Sequence, residues 1–189
     1  MQNIISKIQE LDKNIFIFLH ELGKPQHDNI WVFVTNKYYW IPLYIIIFYL
    51  IIKKQKSFKI DKVIYIILFF ALLITITDQT SNVFKNTFER LRPCSEEGLV
   101  RMINKIGCNG YSFISGHATN SFGIATVCSI IIKNYKFSII IFSWAVLFSY
   151  SRIYLGLHYP IDILFGCIIG SLIGAYYFKL FTKIKKDIF

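Results

Sequence analysis

Five stretches of this sequence are apolar enough to cross a bilayer, and that feature most limits what the chain can fold into. They run approximately over Tyr38–Ile52, Val63–Phe84, Ala118–Ile132, Phe137–Tyr150 and Ile161–Phe181. A hydrocarbon layer about 30 Å thick asks for roughly 20 helical residues. Several stretches fall short of that in strictly apolar residues, so their polar ends must sit at the interface or inside the bundle. Tyr38, Tyr39 and Trp40 begin the first one, as an interfacial aromatic belt would. With 54% apolar residues in 189, the chain has too little polar surface for a water-soluble domain of its size. The expected fold is therefore all-α: a multi-span transmembrane helix bundle forming a single domain over residues 1–189.

Within that domain, residues 1–36 read as interfacial N-terminal helices and 37–189 as the bundle. Ile4, Ile8, Leu11, Ile15, Phe18 and Leu22 recur at three- and four-residue steps, opposite Lys7, Glu10, Lys13, Asn14 and Glu21. That spacing describes an amphipathic helix on the membrane surface, with a short sixth span as the other reading. Asp28–Thr35 reads as a short helix or a re-entrant piece. Charges at Glu10, Asp12 and Lys13 argue against a cleavable signal peptide.

The net charge of +10 invites a nucleic-acid partner, but its distribution excludes that class. Eleven basic residues fall in three segments next to apolar runs: Lys53, Lys54, Lys56, Lys59 and Lys62; Lys133 and Lys136; and Lys179, Lys183, Lys185 and Lys186. Only Asp61 and Asp187 offset them there, whereas the rest of the chain holds ten basic and nine acidic residues. Lysines in alternate short loops follow the positive-inside pattern. With those loops cytoplasmic, Lys85–Tyr111, Ser115–His117 and Arg152–Asp162 face outward.

Nearly every residue suited to phosphate chemistry lies in those outward segments, in three blocks. In the first, Lys85 and Arg92 stand seven residues apart, two helical turns on one face, and Pro93 ends the helix near Arg92. Snorkelling basic residues at a membrane boundary would look the same. In the second, Ser115-Gly116-His117 opens an apolar run. Ser is a good N-cap, Gly allows close approach, and free N–H groups at a helix start make an anion seat. Plain capping would explain it as well. In the third, Ser151-Arg152 is followed by His158, Pro160 and Asp162. Pro160 suits a first helical turn, from which Asp162 can reach back to one nitrogen of His158. A histidine so held is a usable nucleophile or base, although helix capping alone produces such pairs too.

Taken in order, the blocks resemble the Lys-x6-Arg-Pro, Pro-Ser-Gly-His and Ser-Arg-x5-His-x3-Asp signatures of the type 2 phosphatidic acid phosphatase family. The resemblance covers about residues 85–162, with Ile114 standing where the family usually has proline. It implies a phosphohistidine at His158, a ring-holding Asp162, and a leaving-group acid at His117. It further implies that Lys85, Arg92, Ser115, Gly116 and Arg152 bind the phosphoryl oxygens without metal or other cofactor. Short bacterial membrane members look most similar, which implies a site on the extracytoplasmic side of the cytoplasmic membrane. The implied substrate is a lipid phosphate or diphosphate, with undecaprenyl diphosphate first and lipid A or phosphatidylglycerophosphate as alternatives. A vanadium haloperoxidase-like or non-catalytic membrane protein would be a different class. Oligomeric state is not legible.

Cys94 and Cys108 flank the outer loop, and a disulfide between them would stabilise by about 3 kcal/mol in the chain-entropy model. Two free thiols are the other reading. Cys128 and Cys167 fall within spans as packing residues. Asp78 and Glu89 are expected to pair with basic residues, and His20 and His27 to be interfacial and solvated.

Overall fold

The chain turns at its polar punctuation and runs straight where it is apolar. The computed structural model describes residues 2–54, 59–101, 103 and 108–185; Lys56, Lys186 and Asp187 of the lysine-rich segments lie outside them. Helix α1 (Gln2–Glu21) leads through a tight 3₁₀ turn at Pro25–His27 into α2 (Asp28–Thr35). A second 3₁₀ turn, Lys37–Trp40, precedes α3 (Ile41–Lys53). Then follow α4 (Ile60–Phe88), α5 (Gly116–Ile132), α6 (Tyr135–Tyr154) and α7 (Pro160–Ile184). Among the described residues there are no strands.

Helices α4, α6 and α7 are each long and apolar enough to cross a membrane. The stretch read as a first span is different. Helix α3 has 13 residues, which rise only about 20 Å, so α3 alone cannot cross. Residues 25–35 and 37–53 form a pair bent by 63°, which together have the length and apolarity of a broken span or a re-entrant loop. The break has a local cause. Asn36 is extended, and its side chain accepts the Tyr38 N–H at 3.1 Å, which competes with helix continuation. Pro42 then supplies no N–H in the first turn of α3. Helix α5 is a shorter apolar helix of 17 residues.

Helix α4 also ends earlier than Pro93 suggests. Glu89 adopts a left-handed conformation (φ 45°) and donates its N–H to the Lys85 carbonyl at 2.9 Å, a C-cap that stops the helix at Phe88. Arg92 therefore leaves the helix in an extended conformation before Pro93 and does not share a helical face with Lys85.

Helix α5 is the centre of the bundle, packed by α4, α6 and α7. The α5–α7 seam is close because Gly166, Gly170 and Gly174 recur every four residues on one face of α7. A Cβ on Gly170 would stand 2.2 Å from the Thr119 carbonyl oxygen, and one on Gly174 2.7 Å from that of Gly123. Ile51, Phe69, Leu73, Cys128, Ile141 and Trp144 fill the core between the helices. Large apolar residues such as Ile46, Leu68, Leu72, Ile140 and Leu172 point outward, as a lipid environment requires. Row upon row, α1 likewise exposes Ile4, Ile8, Leu11, Ile15 and Phe18, while Asp12, Phe16 and His20 turn inward.

Alternating helix directions separate two ends. At one, Lys54 donates to the last carbonyls of α5, Ile131 and Ile132, at 2.8 Å each, and the Lys185 ammonium lies 4.9 Å from the Tyr65 ring centroid. At the other, the start of α5 meets the end of α4 and the start of α7. The lysine-rich connections and the three motif blocks thus occupy opposite ends.

Candidate active site

Two loops build the site, and backbone hydrogen bonds fix one against the other. The Cys94 N–H donates to the Gly156 carbonyl at 3.0 Å, and the Ser112 N–H to that of Arg90 at 2.8 Å. Cys94 and Cys108 are joined by a disulfide, with their Cα atoms 5.9 Å apart. Arg92 donates from Nε to the Gly110 carbonyl at 3.2 Å, which ties the Arg-Pro block to the far side of the same loop. After α6 the chain reverses at Gly156, whose φ of 72° favours glycine. The Leu157 and His158 N–H groups both return to the Arg152 carbonyl, at 2.9 and 3.3 Å. That turn delivers His158 to the buried interior, 2% exposed.

The second block sits beside it. Ser115 occupies the N-cap position of α5, but its side chain caps nothing. Its buried Oγ has no hydrogen-bond partner among the described residues. Its N–H donates to the Asp162 carbonyl at 3.1 Å, which locks the start of α5 to the first turn of α7. Gly116 is enclosed: a Cβ there would lie 3.0 Å from Ser81 Oγ, 3.6 Å from Lys85 Nζ and 3.8 Å from Asp78 Oδ1. Lys85 is therefore next to the helix start. Asp78 acts on its charge from the same helix, and Glu89 is exposed at the C-cap. Ile114, at the departure from the family pattern, is fully buried.

His117 stacks on Phe148 with ring centroids 4.8 Å apart, and its Nε2 lies 3.4 Å from the Thr35 carbonyl oxygen. Arg152 donates from Nη1 to Thr35 Oγ1 at 2.8 Å, while its buried Nε has no partner among the described residues. Asp162 approaches His158 from Oδ2 to Nδ1 at 3.6 Å, longer than a hydrogen bond. Burial, reinforced by the charges of Arg152, Arg92 and Lys85, holds the His158 imidazole well below its usual pKa. Three cations, two imidazoles, a helix N-terminus and an unpartnered hydroxyl thus converge at one end of the bundle. That arrangement suits a tetrahedral oxyanion.

Sequence reasoning missed three contributors. Thr35 closes the site from the end of α2. Arg90, two residues before Arg92, ion-pairs with both Asp162 (2.8 Å) and Asp12 (2.6 Å). In the sequence Asp12 counts only as a charge against a signal peptide, yet it is buried. The expected exposure of His20 is also corrected. His20 is buried, stacks on Phe16 and accepts the Arg101 N–H at 3.1 Å, because Arg101 bridges the outer loop to Asp28 at the start of α2. His27 is exposed. Among the described residues, no three His, Cys, Asp or Glu side chains come together as metal ligands would.

A cavity of about 620 Å³ runs beside the site among α3, α4, α5 and α6. Its walls are largely apolar, including Tyr44, Phe48, Phe70 and Trp144, and it is also lined by His117 and Lys37.

The chain is 34% identical to the lipid A 4'-phosphatase of Bacteroides thetaiotaomicron, over 97% of this chain and 84% of that one. Identity to the lipid A 4'-phosphatase of Porphyromonas gingivalis is 31%, over 92% and 74%. An undecaprenyl-diphosphatase of Sulfolobus acidocaldarius is 31% identical over 74% of this chain and 62% of its own length. In fold, the chain resembles the transmembrane PAP2 type phosphatidylglycerolphosphate phosphatase of Bacillus subtilis. The TM-score is 0.72 at 23% identity, covering 95% of this chain and 89% of that one. The PAP2 superfamily itself matches residues 63–186, a stretch that begins in α4 and carries all three blocks. With motif order, helix arrangement and sequence in agreement, the chain belongs to the type 2 phosphatidic acid phosphatase (PAP2) superfamily and is a phosphoric ester hydrolase.

Proposed function

We propose that this protein hydrolyses the phosphate of a membrane lipid through a phosphohistidine at His158, with no metal ion taking part. The observation that carries this reading is the meeting of all three blocks around the buried imidazole. His158 attacks phosphorus through Nε2, and Asp162 at Nδ1 stabilises the charge that the ring acquires. Arg92, Arg152 and Lys85 hold the equatorial oxygens, joined by Ser115 Oγ and the Gly116 N–H. Ser115 Oγ and Arg152 Nε, buried without partners, are the donors such a ligand would satisfy. His117 protonates the leaving oxygen and later activates water.

The substrate we favour is a lipid A-type phosphomonoester, removed at the 4' position. Two lipid A 4'-phosphatases resemble the chain over nearly its whole length, whereas the undecaprenyl-diphosphatase relative matches less of it. Undecaprenyl diphosphate is the second reading, resting on that relative. The apolar cavity against His117 suits a substrate whose tail stays in the membrane while its phosphate enters the site. Because lysine-rich connections mark the opposite end, the site faces away from the cytoplasm across the bacterial inner membrane.

Purified protein in detergent, given EDTA and a panel of lipid A, undecaprenyl diphosphate, phosphatidate and phosphatidylglycerophosphate, tests this directly. Phosphate release should persist in chelator and be fastest from lipid A. A folded His158→Ala variant should lose at least about a thousandfold in kcat, in line with removing the nucleophile of a concerted site. Chelator-sensitive turnover, or an active His158→Ala enzyme, rejects the mechanism.

A further inference from the structure

The carboxylate facing His158 is held by residues at positions that the signatures leave unspecified. Asp162 accepts the Tyr159 N–H on Oδ2 at 2.8 Å and the Arg90 Nη1 on Oδ1 at 2.8 Å. The same guanidinium gives Nη2 to Asp12 Oδ2 at 2.6 Å and lies 4.1 Å from the Tyr159 ring centroid. Asp12 spends its other oxygen on the Ile161 N–H, at 2.9 Å. Ile161 is in the first turn of α7, whose N–H groups have no partners within the helix. A carboxylate from α1 therefore caps α7 between His158 and Asp162. Neither aspartate side chain is exposed, and that of Arg90 is 21% exposed.

This arrangement does more than fasten α1. An ionised carboxylate in so dry a place needs a cation and hydrogen bonds, and Arg90 supplies both to two carboxylates at once. Held on Oδ1 by Arg90 and on Oδ2 by the Tyr159 N–H, Asp162 keeps Oδ2 3.6 Å from His158 Nδ1. We propose that Arg90 and Asp12 are positioning residues for the reaction: together they fix Asp162 against His158 and make the surface helix α1 part of the catalytic machinery. The inference rests on His158 being the nucleophile. The planar fork matters to it, because Nη1 and Nη2 each serve one carboxylate at a fixed spacing, whereas a lysine has a single, flexibly held nitrogen.

The test uses full-length Arg90→Lys, Asp12→Asn and Asp12→Ala proteins in detergent, with folding checked by circular dichroism. Asp12→Asn keeps an oxygen for the Ile161 N–H and loses only the charge that faces Arg90. Loss of such supporting partners typically costs about 10- to 100-fold. Asp12→Asn should lower kcat about tenfold and Arg90→Lys more, with KM within about twofold of wild type. In protein labelled with ¹⁵N-histidine, the Nδ1 resonance of His158 should shift in each variant as its carboxylate partner moves. Unchanged kcat, an unmoved His158 resonance, or losses that merely follow the unfolded fraction would each overturn the proposal. If the wild type cleaves no lipid, the functional reading fails on its own, and the His158 spectrum still decides whether Asp12 and Arg90 hold the dyad.

Discussion

His158 illustrates what a sequence shows about a residue and what it conceals. Its place in the motif is visible, as is Asp162 four residues on. Its near-complete burial among three cations is not. Burial and those charges favour the neutral ring, so the nucleophile stays unprotonated as pH falls through the ordinary histidine range near 6.5. In kcat/KM, which reports the free enzyme, the acid limb should lie below pH 6.5, with most activity retained at pH 6. A profile that halves at 6.5 or above would contradict this. Asp12, Arg90 and Thr35 stayed hidden for a common reason. In sequence, a charged or hydroxyl side chain looks the same whether it meets water or a buried counter-ion. Only the tertiary contact distinguishes them, as His20 shows with its unforeseen Arg101 partner.

Hydropathy located the helices well, because lipid-facing length is written directly in composition. Helix ends were less legible. The break at Asn36 and the stop at Glu89 depend on a single side-chain cap and a single left-handed residue, which compete locally with helix propensity. The α5–α7 seam is another element-level feature that hydropathy passes over, since its glycines count as weakly apolar and no more. There, Gly170→Ala should destabilise by about 3 kcal/mol or more, at or beyond the upper end of ordinary overpacking, because the Thr119 carbonyl is backbone and cannot rotate away. Thermal unfolding in detergent checks this, with Leu172→Ala on the lipid-facing side as the near-neutral comparison. An equal effect of the two substitutions would mean that the seam relaxes.

Across the whole molecule, the opposition of the lysine-rich end and the end that carries the three blocks is the property most fully readable in advance, since it follows from counting charges between spans. Which compartment the loop end meets is testable chemically through the Cys94–Cys108 bridge. Glutathione on the cytosolic side keeps such pairs reduced, whereas an envelope compartment leaves them oxidised. In spheroplasts, a membrane-impermeant maleimide should label neither cysteine until an impermeant reductant is added, and both afterwards. Labelling without reductant would mean free thiols on the outer face and no bridge, whereas none after it would turn the protein over in the bilayer. One cross-link thus serves as a compass for the entire chain. Because Arg92 donates to the Gly110 carbonyl just beyond that cross-link, its seating is tied to whether the two sulfurs are joined.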